Sequence, residues 1–108
     1  MLAKIALYHV EVDTVEENMG CELLTPPTAA TLREIAAENN AAIDILTVLD
    51  LVADEEITVP KPVEGEDVYA ETPILVAGSE VGRINVSVIY VYLDPQVWYR
   101  TPRDNRPI

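Results

Sequence analysis

The sequence predicts a mainly β protein, an antiparallel β-sandwich of the jelly-roll type with one short α-helix near residues 28–40. The first observation is a long uninterrupted strand pattern, GRINVSVIYVY, over residues 82–92. The second is a series of short β-favouring runs, separated by Gly and Pro, at residues 57–59, 67–71, 73–77 and 83–93. The third is the prolines among them, which belong at sheet edges or turns and favour a sandwich over a parallel sheet. An α+β arrangement is the alternative.

The sequence pattern of the first half of the chain predicts one strand and one helix. Residues 2–12 alternate loosely between apolar and polar side chains, which predicts a first strand with Ile5 and Leu7 facing the core. Two consecutive prolines end an extended segment before Thr28, a residue type that can cap a helix. The sequence AATLREIAAENN that follows consists of good helix formers, with Leu32 and Ile35 on one face.

Residues 41–53, AAIDILTVLDLVA, are ambiguous. Their β-branched content after two asparagines favours a strand. Leu46 and Leu49 would also continue the apolar stripe of the preceding helix, so one long helix is the alternative.

The last predicted strand is apolar on both of its faces near its end. Alternation places Val86, Val88 and Tyr90 on one face and Ile89 and Val91 on the other. The second face is therefore covered either by the rest of the domain or by another subunit. The expected core consists of Ile5, Leu7, Leu32, Ile35, Ile74, Val86, Val88 and Tyr90.

By size, the 108 residues form one β-rich domain over residues 1–94, followed by an extended C-terminal arm over residues 95–108. Two prolines keep the arm extended, and its arginines make it locally basic. Large aromatic side chains and arginines outside a core are typical anchors of interfaces. We therefore expect the arm to cross to another subunit and to cover Ile89 and Val91 there, with contacts from Trp98, Tyr99, Arg100, Arg103 and Arg106.

Charge is the strongest compositional signal. Nineteen acidic residues face seven basic ones, which gives a net charge of −12. This charge argues against nucleic acid and anionic membranes as partners, because both carry negative charge themselves. Few lysines, no phenylalanine and abundant Ala, Val and Thr are typical of proteins from salt-loving archaea, where salt screens the repulsion. An ordinary acidic domain is the alternative.

The residues that usually carry chemistry do not form a recognisable set. His9 is the only histidine and Cys21 the only cysteine, so one chain cannot supply a Ser-His-Asp set, a disulfide or a thiolate metal cluster. The acidic clusters lack the spacing of a calcium-binding loop. We expect neither catalytic nor metal-binding residues and no cofactor, and we expect Cys21 to be a small buried apolar residue.

Three segments together resemble a known group of proteins: ALYHVEVDTVEENMG, TPPTAATLREIAAENNAAIDILTV and ETPILVAGSEVGRINVSVIYVYL. They are similar to small virion proteins of tailed viruses, in which T-P-I before a Gly turn and G-x-x-x-V-x-V-x-Y after it form the last hairpin of a β-sandwich. Here these positions are Thr72, Pro73, Ile74, Gly82, Val86, Val88 and Tyr90. The helical insert and the arginine-bearing arm are departures from that pattern.

The resemblance implies a non-enzymatic structural protein, for capsid decoration or as a tail-associated component, in a tailed virus that infects a halophilic archaeon. Its partners would be copies of itself and other virion proteins such as the major capsid protein, and its location the virion, assembled in the host cytoplasm. A small acidic cellular binding or regulatory subunit of a halophile is the alternative.

Overall fold

The computed structural model describes residues 2–94, which form one open antiparallel sheet with two short helices on one side. The strands are β1 (Ala3–Thr14), β2 (Asn18–Leu23), β3 (Val68–Val76) and β4 (Ser79–Leu93), in the sheet order β2-β1-β4-β3. The helices are α1 (Ala29–Glu38) and α2 (Ile43–Leu49), followed by a short 3₁₀ turn at Asp54–Glu56. The mainly β, antiparallel class is confirmed, while residues 2–94 contain this one sheet and no second layer of strands.

The predicted helix is confirmed together with its cap. Thr28 has extended backbone angles, and its hydroxyl accepts a hydrogen bond from the Thr31 amide at 3.1 Å. Leu32 and Ile35 are buried, and the Asn39 side chain donates to the Ile35 carbonyl at 2.8 Å where the helix ends. The next residue, Asn40, has a left-handed φ of 52°, which stops the helix and redirects the chain.

The strand favoured for residues 41–53 is wrong, because these residues contain α2. Ile45, Val48 and Leu49 are buried, and their spacing of three and four residues places them on one helical face. Arg33 of α1 donates hydrogen bonds to the carbonyls of Leu49 and Val52, at 3.1 and 3.2 Å. A long α1 is excluded too, since Asn40 separates the two helices.

The helices cover the face of the sheet that carries the core. From the strands this core receives Tyr8, Val10, Val12, Cys21, Leu23, Ile74, Ile84, Val86 and Val88. The predicted core residues Leu32, Ile35, Ile74, Val86 and Val88 are confirmed. Ile5 and Leu7 are not: β1 turns the opposite set of its residues inward, so both lie on the other face and are half-buried. Tyr90 has the expected face but is also half-buried.

Two further strand predictions need correction. Residues 18–23, expected to be loop and an ambiguous short run, form β2 and pair with β1. Residues 57–59, expected to be a strand, are irregular. The runs expected at residues 67–71 and 73–77 merge into the single strand β3. Pro73 lies within it, which is possible because β3 is an edge strand.

The closing hairpin is confirmed, and its turn has only two residues. Val76 pairs with Ser79, so Ala77 and Gly78 alone form the loop. Both have positive φ, 50° and 83°, as a two-residue hairpin turn with the right-handed twist of the strands requires. Gly82 lies inside β4, where an added Cβ would be only 2.9 Å from the Asp13 carbonyl oxygen.

Candidate functional site

The sheet face opposite the helices, here called the open face, is divided along the strands into two halves. Cross-strand pairs place Ile5 beside Val91 and Leu7 beside Ile89 at one end, which we call the apolar half. The other end, the polar half, is made by all four strands and carries these side chains: His9, Glu11, Asp13, Glu22, Tyr69, Glu71, Arg83, Asn85 and Ser87. Among residues 2–94 neither helix covers this face.

The apolar half belongs to a two-stranded ribbon that projects beyond the rest of the sheet. Residues 3–7 of β1 pair with residues 89–93 of β4. The outer strands stop short of them, since the last pairs are Tyr8 with Leu23 on one side and Val88 with Val68 on the other. Within the described part of the chain, both outer edges of this ribbon therefore lack a strand partner.

Apolar side chains lie on both faces of the ribbon. Ile89, on the open face, is 42% exposed, and Tyr92, on the opposite face, is 71% exposed. The only charged side chain of the ribbon is Lys4, whose ammonium lies 4.6 Å from the centre of the Tyr90 ring and pairs with Glu64. The ribbon is therefore a charge-poor, apolar surface on a protein with a net charge of −12.

The polar half is held by a continuous hydrogen-bond network across three strands. The Tyr69 hydroxyl donates to Glu71 at 2.6 Å, and Arg83 donates to the other carboxylate oxygen of Glu71 at 3.1 Å. The Asn85 amide donates to Asp13 at 2.9 Å. The second terminal nitrogen of Arg83 donates to both carboxylate oxygens of Glu80, at 2.8 and 3.0 Å. The geometry fixes these side chains and leaves a shallow cavity of about 320 Å³ beside Asp13.

The electrostatics of the polar half shift the pKa values of two carboxyl groups in opposite directions. Burial raises the pKa of Asp13 to about 6, helped by a hydrogen bond with Glu11 and by its charge. The hydrogen bond from the Tyr69 hydroxyl lowers the pKa of Glu71, and Arg83 acts in the same direction. Asp13 is thus a carboxyl group with a pKa of about 6, close to Glu71, whose pKa is lowered.

The structure also places the single histidine and the single cysteine of the sequence. His9 and Ser87 are cross-strand neighbours on the open face, but no hydrogen bond joins them. Among the described residues, no three side chains of the metal-ligating types converge. Cys21 is fully buried, as expected, and burial raises the pKa of its thiol to about 11, so it stays protonated.

Two of the predicted interface residues, Ile89 and Val91, lie side by side with Leu7 and Ile5 in the apolar half. The other five, Trp98, Tyr99, Arg100, Arg103 and Arg106, lie outside the described residues, as does the predicted arm. The sequence reading missed Ile5 and Leu7 as part of this surface, because it assigned them to the core. It also missed the polar half, whose residues are distant in sequence.

No described helix is both long and apolar enough to cross a membrane. Comparison with family models, curated proteins and solved structures gave no match to this chain. The function is therefore argued from the site.

Proposed function

We propose that this protein is a non-enzymatic structural component that works through contacts between subunits, in the virion of a tailed virus of a halophilic archaeon. The observation that supports assembly is the projecting ribbon, which has apolar side chains on both faces and two edges that no strand within residues 2–94 pairs with. A two-stranded ribbon standing alone is at best marginally stable in water. Contacts with copies of itself or with other virion proteins, such as the major capsid protein, would complete it.

The virion setting rests on the resemblance of the hairpin and helix segments, and the halophilic host rests on the charge of −12. The sandwich expected from the sequence enters this proposal as a product of assembly, in which a neighbouring subunit adds a layer to the open face. The arm, residues 95–108, would contribute to that layer through Trp98 and Tyr99 and through its three arginines.

The experiment that tests this function is sedimentation of purified virus particles in molar KCl, followed by detection of the protein at a fixed ratio to the capsid protein. The proposal expects a constant stoichiometry through successive gradients. A protein found only in the cytosol of infected or uninfected cells contradicts it.

The alternative, a small acidic binding subunit, is favoured by the cavity beside Asp13. Its walls carry Asp13, Glu71 and Glu80 against one cation, Arg83, so a cationic ligand would suit it. This alternative expects amide shifts of Asn85 and its neighbours in NMR spectra on titration with a small polyamine, at molar salt. Spectra that stay unchanged exclude it for that ligand class.

A further inference from the structure

The ribbon edge formed by residues 89–93 has none of the devices by which proteins protect an exposed strand. Its sequence, IYVYL, contains no charge, no proline and no glycine. It follows directly after the last β3 pair, Val68 with Val88, and pairs with β1 only. Protected edges carry lysines, prolines or bulges, and an edge without them is a template for another strand.

We propose that this edge is where a second copy of the chain binds, through antiparallel pairing of residues 89–93 with the same residues of the second copy. This inference rests on the proposed function and names the partner and the mode of contact. An antiparallel strand pair is self-complementary, so a single two-fold axis near Val91 gives both copies identical contacts. Residue 89 of one copy then lies opposite residue 93 of the other, and the two sheets become one continuous sheet.

Charge favours this place of contact. Each copy carries a net charge of −12, so two copies repel each other over most of their surfaces. The ribbon has one charged side chain, Lys4, and Glu64 already pairs with it. The carboxylates of the open face, Glu11, Asp13 and Glu71, lie at the opposite end of the sheet. The ribbon itself therefore brings little negative charge to a contact between two copies.

A tight hairpin directly after Leu93 is unfavourable in this sequence, because it would place Asp94 and Pro95 in the two-residue turn. The first central residue of the favoured turns needs a positive φ, and in type I′ the second needs one too. Proline is fixed near a φ of about −65° and cannot be the second residue of a type I′ turn. The residue before a proline, here Asp94, is pushed towards extended angles, which disfavours a positive φ at the first position.

The test uses the full chain with charges placed at the two-fold axis. Val91→Lys and Val91→Glu each set two like charges directly opposite, which destabilises a strand pair. We expect sedimentation equilibrium in molar KCl to show a weak wild-type dimer, with a Kd on the order of micromolar. The dimer should be weak because five residue pairs bury less than the roughly 800 Å² per partner of a standard interface. Each variant alone should weaken association at least tenfold, and their equimolar mixture should form a heterodimer visible by native mass spectrometry.

Leu75→Lys is the matched control, since Leu75 is also exposed on the edge strand β3 but pairs with Glu80, at the end of the sheet away from the ribbon. It should dimerise like the wild type, and circular dichroism should show all variants folded. Should Val91→Lys fail to fold, Val91→Cys replaces it: cross-strand neighbours lie within disulfide distance, so a covalent dimer should form on oxidation, whereas Leu75→Cys should give none.

A wild-type protein that is monomeric at every concentration overturns the inference. So does a dimer that both charge variants leave intact, or a mixture that forms no heterodimer. The proposed function is judged separately, by sedimentation with virus particles, because a virion protein could bind the capsid through another surface.

Discussion

Asp13 lies where burial and a neighbouring carboxylate act in the same direction. Both favour its neutral form, and the pKa of this carboxyl rises from 3.8 to about 6. A carboxyl whose pKa is higher in the folded than in the unfolded protein binds its proton more tightly when folded. Its stabilising contribution is therefore complete below about pH 4 and is lost as the pH rises through about 6.

Asp13→Asn should remove this pH dependence, because Asn cannot titrate and still offers an oxygen to the Asn85 amide. We measure the difference in melting temperature between the variant and the wild type at each pH and constant salt. We expect this difference to increase by a few degrees in favour of the variant between pH 4 and pH 7. Asp67→Asn, in an exposed loop, is the control and should show no such increase. A constant difference between Asp13→Asn and the wild type would contradict the assigned pKa.

Adjacent residues of β4 should respond in opposite ways to the same substitution. Val88 is 1% exposed among core side chains, whereas Ile89 is 42% exposed on the open face. Val88→Asp buries an unpaired carboxylate and should cost about 3–5 kcal/mol of unfolding free energy. Ile89→Asp should cost less than about 1 kcal/mol in the monomer, because its carboxylate reaches water. Chemical denaturation of both variants at low protein concentration measures this difference, and equal losses would show that β4 has been assigned the wrong face.

At the level of elements, the structure follows the sequence where local signals agree. Thr28 after two prolines predicted where α1 begins, and the long apolar alternation predicted β4. The prediction was wrong where the apolar pattern was compatible with both a strand and a helix. Residues 43–49 have strand-like composition, but they form a helix whose buried face carries Ile45, Val48 and Leu49. The inward face of β1 also could not be read locally, because both of its faces carry apolar residues near Ile5, and pairing with β4 decides which set is buried.

The β3–β4 turn offers a stability test of one element. Ala77 holds a φ of 50°, a region that costs a residue with a Cβ roughly 1–2 kcal/mol and that Asn tolerates best. Ala77→Asn creates an Asn-Gly turn and should stabilise the protein by about 0.5–1 kcal/mol. Ala77→Val should destabilise it by a similar amount or more, because a β-branched side chain fits a positive φ poorly. Thermal melting of the two variants measures opposite shifts, and shifts of the same sign would argue against this turn.

At the scale of the whole molecule, the open face joins residues that the sequence separates widely. Asp13 and Arg83 are cross-strand neighbours although their residue numbers differ by 70. No local periodicity could have predicted the polar half, since it depends on the sheet order β2-β1-β4-β3. The apolar half was partly predicted, through Ile89 and Val91. A strand with apolar residues on both of its faces can be recognised from its own short stretch of sequence.

The net charge should make the stability of the protein depend on salt concentration. The formal charge of −12 is spread over a small domain, although cations pair with some carboxylates, among them Arg83 with Glu71 and Glu80, and Lys4 with Glu64. Repulsion among the excess carboxylates lowers stability in dilute buffer, where the screening length is about 30 Å at 0.01 M and spans the domain. At molar salt it falls to about 3 Å, so we expect the melting temperature to rise by several degrees or more. Replacing Glu16, Glu55 and Glu66, all exposed, with Gln should raise the melting temperature in dilute buffer and leave it nearly unchanged at molar salt. The opposite result, a melting temperature that is flat or falls as KCl increases, would remove the physical basis for a halophilic host and leave an ordinary acidic domain.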